Sequence, residues 1–201
     1  MQSEKRVLII AGPTGSGEST ITRELIRRYP VFTRLVTATT RAPRLDEKDG
    51  IDYYFFSEEK FKQELAQGNI LEHTFVPGRG VYYGPYKPDL EQKLAAGFSI
   101  IVNPDVVGAQ YYKDQYGATT VFVKTESLDV LQERLIGRDP SMSADELQKR
   151  LAAAQYELEH EQKFYDYVIF NRNGMLDQTI DEVVGILRQE GYSLDKGVEV
   201  R

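Results

Sequence analysis

Val7-Leu8-Ile9-Ile10-Ala11-Gly12-Pro13-Thr14-Gly15-Ser16-Gly17-Glu18-Ser19-Thr20 is an apolar run feeding a glycine-rich turn, and an amphipathic helical pattern follows it. Strand, glycine turn and helix in that order make a phosphate loop, whose strict form is G-x-x-x-x-G-K-[ST]. Gly12, Gly17 and Ser19 fit that form, and Glu18 stands where the lysine belongs. The glycines let backbone N–H groups turn inward around an anion, and the helix adds the positive end of its dipole. The candidate phosphate-binding positions are therefore Gly12, Thr14, Gly15, Ser16, Gly17, Glu18, Ser19 and Thr20, with the Ser19 hydroxyl placed for a magnesium ion carried by a nucleotide. A carboxylate at position 18 repels the same phosphates. The competing reading is an ordinary strand-to-helix turn.

Outward from that loop, composition sets bounds. A chain of 201 residues can bury one sizeable core with inserted subregions, and is short for two independent domains. The 25 Lys+Arg against 31 Asp+Glu leave a net charge of −6, which argues against a general nucleic-acid or anionic-membrane surface. No cysteine is present and the two histidines lie far apart, so disulfides, thiolate chemistry and a zinc signature are excluded. The start has no secretory h-region and no apolar run is long enough to span a bilayer, so a soluble cytoplasmic protein is expected. Oligomeric state is not legible.

Ile21, Leu25 and Ile26 share one face of the first helix, which Tyr29-Pro30 ends. Phe32 to Val36 reads as a strand, and Thr37 to Asp52, polar and without apolar periodicity, reads as a working loop. Tyr53 to Phe56 returns to strand character, and Ser57 caps a helix closed by Gly68. Asn69 to Tyr83 is extended, with a turn at Pro77-Gly78-Arg79-Gly80. A helix over about Asp89 to Ala96 leads to the apolar run Phe98 to Val102, and Thr119 to Val123 and Tyr167 to Phe170 repeat that buried-strand character. Ser143 with Glu146 forms a capping box opening a helix over Ala144 to Lys163. A last helix from Met175 to about Glu190 stops at Gly191, before a loose polar tail from Tyr192 to Arg201. Alternating strands and helices imply an α/β domain with a mainly parallel sheet. By spacing alone Arg134, Arg138 and Arg150 read as a solvated helical face.

At Thr37-Ala38-Thr39-Thr40-Arg41-Ala42-Pro43-Arg44, followed by Gly50-Ile51-Asp52-Tyr53, the chain resembles guanylate kinase, and the likeness runs from the phosphate loop to roughly Glu190. The resemblance implies a P-loop nucleoside monophosphate kinase fold, a mainly parallel sheet flanked by helices with inserted GMP-binding and lid subregions. It implies one domain over residues 4–190, with core segments 4–36, 90–128 and 164–190, a GMP-binding subregion 37–89, a lid 129–163 and a polar tail 191–201. It also implies transfer of a phosphoryl group from Mg·ATP to GMP, giving ADP and GDP.

Carried over position by position, the resemblance gives Arg41, Arg44, Tyr53 and Tyr83 to the GMP phosphate, and Thr37, Glu72 and Asp105 to the guanine base. Arginine forks meet phosphate oxygens bidentately, and carboxylates suit the N1–H and exocyclic amine of guanine. Arg134, Arg138 and Arg150 would close over the transferring group. Asn171 would lie beside the adenine, although a turn-forming asparagine explains it equally well. Three positions depart from the family pattern. Glu18 replaces the lysine, Pro85 stands where a Ser or Thr contacts guanine, and Asn103 stands for the first Asp of an Asp-x-Asp pair. A weakened kinase is the first expectation. The alternatives are a catalytically dead binding module of guanylate-kinase-like type and a kinase of the same fold with another acceptor.

Overall fold

The computed structural model describes residues 5–71, 73–78 and 80–195. Glu72, Arg79 of the expected turn, and residues 1–4 and 196–201 at the chain ends lie outside the described residues. In chain order the elements are β1 Val7–Ala11, α1 Glu18–Arg28, β2 Phe32–Arg34, β3 Thr37–Thr39, β4 Tyr54–Phe55, α2 Glu58–Ala66, β5 Thr74–Val76, β6 Val81–Pro85, α3 Lys87–Ala95, β7 Ser99–Val102, α4 Val106–Tyr116, β8 Thr119–Lys124, α5 Leu128–Arg138, α6 Ala144–Tyr156, β9 Tyr167–Phe170 and α7 Leu176–Gln189. They form an α/β fold whose main sheet has the order β2-β7-β1-β8-β9, and a second sheet in the order β4-β3-β6-β5. The described residues fall into two compact units, Thr33–Ile100 and the segments on either side of it.

In the larger unit β1 runs parallel to β8 and β8 parallel to β9, with Leu8 opposite Thr119 and Val121 opposite Tyr167. All five residues of β1 are buried, as a strand covered by helices on both faces must be. Its core joins Leu8 and Ile10 to Ile21 and Leu25 of α1 and to Ile180, Val183 and Leu187 of α7. Helix α1, whose apolar face is plain in the sequence, and α7 therefore anchor the strand that delivers the phosphate loop. No described helix is long and apolar enough to cross a membrane.

The tail is not loose where it begins. Tyr192 is buried, stacks on Phe32 at 6.2 Å between ring centroids, donates its hydroxyl proton to the Val7 carbonyl and accepts from the Thr119 N–H at 3.3 Å. Gly191, at φ 82, turns the chain back after α7 and returns that ring to the core. Removing the hydroxyl strands two buried backbone groups. Tyr192→Phe is expected to cost about 1–3 kcal/mol, read as a lower midpoint in urea unfolding with an unchanged slope.

The smaller unit has its own core of Ala38, Phe56, Phe61 and Ile70. Here the expected loop from Thr37 is corrected, because Thr37–Thr39 is a strand paired with both β4 and β6. Thr39 is fully buried yet satisfied, its hydroxyl donating to the Tyr82 carbonyl at 2.9 Å, so a polar residue occupies a core position without penalty. The strand expected over Phe32 to Val36 ends at Arg34, and the Val36 N–H instead donates to the buried Asp89 carboxylate at 2.9 Å. Helix α3 starts two residues before the expected Asp89, with Pro88 in its first turn, where a missing N–H costs nothing. The helix expected to run to Lys163 is α-helical only to Tyr156; Glu157–Glu161 form a π-helical turn and Gln162–Phe164 a 3₁₀ turn.

Candidate active site

In the larger unit the phosphate loop bends through three glycines at positive φ, Gly12 at 153, Gly15 at 100 and Gly17 at 99. Two cannot take a side chain for a second reason. A Cβ on Gly12 would sit 2.2 Å from the Val123 carbonyl oxygen, and one on Gly17 would sit 2.2 Å from Asn171 Nδ2. Ser16 is fully buried and its hydroxyl has no partner among the described residues. An orphaned buried donor inside a glycine cradle suits an anion that supplies the missing acceptor. Ser19 and Thr20 are exposed in the first turn of α1, open to a ligand.

Helix α5 lies against this loop. Leu131 and Leu135 are buried, and their methyl carbons lie 3.1 and 3.3 Å from where a Gly15 Cβ would be. Arg134 and Arg138 fall three residues after each leucine, hence on the same helix face. Both line a cleft of about 360 Å³ with Gly17, Glu18, Ser19 and Asn171. Arg138 is exposed there. Arg134 is not a solvated side chain: its Nη1 donates to the Ser16 carbonyl at 3.1 Å, its Nη2 to the Asn171 carbonyl at 2.7 Å, and its Nε and Nη2 to Asn173 Oδ1 at 3.0 and 2.7 Å. Arg150 pairs instead with Glu146, one turn earlier on its own helix, at 2.8 Å, and does not line the cleft. Ser143 caps that helix as its sequence predicts, accepting from the Glu146 N–H at 3.2 Å.

Asn171 is buried, and its Nδ2 donates to the Ser16 carbonyl at 2.7 Å. The amide is thus tied to the phosphate loop, and the residue lines the same cleft as Gly17, Glu18 and Ser19.

On the other side of the loop a second cleft, about 310 Å³, carries four carboxylates, Glu18, Asp105, Glu157 and Glu161, together with Asn103 and Tyr165. Burial and then the neighbouring Glu157 push the Glu18 carboxyl up to about 7, with Arg138 pulling the other way. Burial, then Glu161, raises Glu157 as well, and burial with the surrounding carboxylates raises the Tyr165 hydroxyl. Asp105 caps α4, accepting from the Gly108 N–H at 2.9 Å. Asn103 ties β1 to α1: its Nδ2 donates to the Ile10 carbonyl at 2.7 Å and lies 3.1 Å from the Thr22 hydroxyl. Nothing local in the sequence marks Glu157 and Glu161 as neighbours of the loop; the π-helical turn that carries them is a feature often found beside functional sites.

In the smaller unit Arg41, Tyr53 and Tyr83 come together. The Arg41 guanidinium lies 5.3 Å from the centre of the Tyr53 ring, Tyr53 packs edge-on against Tyr83 at 6.0 Å, and Glu47 holds Arg41 at 2.8 Å. The Glu47 bond raises the Arg41 pKa further above its ordinary value. Arg44 is exposed, its backbone N–H donating to the Glu47 carboxylate at 2.8 Å and its carbonyl accepting from the Glu47 N–H at 3.1 Å. Thr37 is half-buried and stands opposite Pro85 in the β3–β6 register.

A family model for guanylate kinase matches residues 4–190. The chain belongs to the guanylate kinase family. It is 34% identical over 186 residues to the guanylate kinase of Synechocystis sp., covering 92% of this chain and 94% of that one. It is 38% identical over 170 residues to the guanylate kinase of Bacteroides fragilis, covering 84% and 82%. Among solved structures, guanylate kinase from Anaplasma phagocytophilum superposes with a TM-score of 0.66 at 29% identity, over 96% of this chain and 89% of that one.

Proposed function

We propose that this chain transfers the terminal phosphoryl group of Mg·ATP to GMP, at a rate held down by Glu18 in the place of the family's loop lysine. The observation that carries the reading is the guanylate kinase match over residues 4–190, which contains both the glycine cradle and the Arg41–Tyr53–Tyr83 cluster. In this reading the loop from Gly12 to Thr20 and Arg138 hold the triphosphate, and the Ser19 hydroxyl ligates magnesium brought by the nucleotide. Arg41, Arg44, Tyr53 and Tyr83 take the GMP phosphate, while Thr37, Glu72 and Asp105 read the base. Residues 37–89 then serve as the acceptor-binding subregion and 129–163 as the lid.

The acceptor is already an ionised phosphate, so no general base is required, and the residues work by positioning and by neutralising charge. Magnesium brought by the nucleotide, held through the Ser19 hydroxyl, would supply positive charge against the charge of the phosphates. Arg41 is preorganised by Glu47 and Tyr53, which lowers the entropy cost of meeting a phosphate but divides its charge with a carboxylate.

Calorimetric titration with GMP tests the reading directly. Saturable binding below about 1 mM, within the usual range of enzyme–substrate affinities, and its loss in Arg41→Ala are the expected results. Absence of GMP binding, or tighter binding of another nucleoside or sugar phosphate, would replace the acceptor or the activity.

A further inference from the structure

The carbonyl oxygen of Ser16 is held by two donors from distant parts of the chain, Asn171 Nδ2 at 2.7 Å and Arg134 Nη1 at 3.1 Å. A carbonyl has two lone pairs, and both are occupied here. The Ser16–Gly17 peptide is planar and trans, so its N–H points away from its carbonyl. Fixing the Ser16 oxygen toward α5 and Asn171 therefore fixes the Gly17 N–H in the opposite direction. That N–H has no protein acceptor among the described residues. Gly17 sits at φ 99, and glycine has no side chain to resist rotation of the peptide plane, so the donor's direction depends on whatever holds the carbonyl.

Arg134 is in turn held. Its Nε and Nη2 converge on Asn173 Oδ1, and Nη2 also reaches the Asn171 carbonyl. Of five guanidinium N–H donors, these bonds and the one to Ser16 leave little for a transferring phosphoryl group. Arg138, one turn on and exposed, is not tied in this way.

We infer that Asn171, Arg134 and Asn173 are positioning residues that lock the Ser16–Gly17 peptide so that the Gly17 N–H stays aimed at bound phosphate. Arg134 thus acts through the loop backbone, and Arg138 is left as the arginine of α5 that can meet the transferring group. The inference rests on the phosphate-loop reading of Gly12–Thr20.

Asn173 is exposed, so its variants leave the buried core intact and give the cleanest test. In Asn173→Ala, hydrogen exchange at the Ser16 and Thr20 amides is expected to rise about tenfold, with α7 unchanged, and affinity for inorganic pyrophosphate, measured by calorimetry, to fall about tenfold. These follow from one charge-assisted hydrogen bond. Asn173→Asp, which keeps the acceptor, is expected to restore both. Unchanged exchange in Asn173→Ala and Asn171→Ala overturns the inference. So does weakened pyrophosphate binding with exchange unchanged, which makes these residues direct ligand contacts. If exchange responds as expected while the parent protein binds neither pyrophosphate nor Mg·ATP, the lock stands and the kinase reading falls.

Discussion

Glu18→Lys is expected to raise phosphoryl transfer from Mg·ATP to GMP at least about a hundredfold in a coupled ADP-release assay. Two unit charges about 4 Å apart interact by roughly 4 kcal/mol at an effective dielectric near 20, and the substitution both removes a repulsion and adds an attraction. Magnesium screens part of this, yet about 3 kcal/mol retained in the transition state is already a factor of more than a hundred. The setting favours the lysine, since Glu157, Glu161 and Asp105 line the same cleft and would face a cation instead of a fourth carboxylate. The gain belongs on the nucleotide-triphosphate side, so the GMP dissociation constant should change less than about threefold, well under 1 kcal/mol. Glu18→Gln, which only removes the repulsion, should fall between the two. A Lys variant that still binds GMP and shows no gain in turnover would mean that something other than the charge at position 18 limits this protein.

What could be read without coordinates was what depends on neighbours in sequence. The buried strand Val7–Ala11 declares itself because a strand covered on both faces is apolar throughout, and the Ser57 and Ser143 caps bond as their spacing requires, to the N–H groups of Lys60 and Glu146. The Arg41 motif and the two tyrosines were legible through family resemblance, and they do meet in space. What escaped depends on partners far along the chain. Thr39 looked like a loop residue because its hydroxyl satisfies itself on Tyr82, 43 positions away. Tyr192 looked like tail because its partners are Val7 and Thr119. The three arginines at 134, 138 and 150 are alike by spacing, and only the contacts separate Arg134, tied to Ser16 across 118 positions, from Arg138, exposed in the cleft, and Arg150, paired on its own helix. The π-helical turn at Glu157–Glu161 is the clearest case, since a continuing helix and a widened one have the same local composition.

Burial of Glu18, with Glu157 of that turn beside it, gives the protein an unusual stability profile near neutral pH. Glu18 titrates in the folded chain at about 7, because burial and Glu157 oppose its charge more than Arg138 supports it, with Glu161 and Asp105 lining the same cleft. In the unfolded chain the same group titrates near 4.5. The folded state therefore binds the proton more tightly, so the group's contribution is most favourable below about pH 4.5 and is lost as pH rises through about 7. A shift of this size corresponds to about 3 kcal/mol. Glu18→Gln, uncharged at every pH, should match the parent below about pH 4.5 and exceed it by up to about 3 kcal/mol at pH 8, in urea unfolding without nucleotide or magnesium. For a chain of this length that is roughly 6–12 °C in thermal midpoint. Other groups do not disguise the effect, since Glu24, Glu47, Asp166 and Glu190 are all shifted downward and lose their contributions only in acid. Glu157, raised in the same direction, leaves a residual slope in the Gln variant that a further Glu157→Gln should flatten. Parallel stability curves for the parent and Glu18→Gln between pH 5 and 8 would show that the carboxylate at position 18 escapes to solvent, and with it would go the electrostatic account of a slow enzyme.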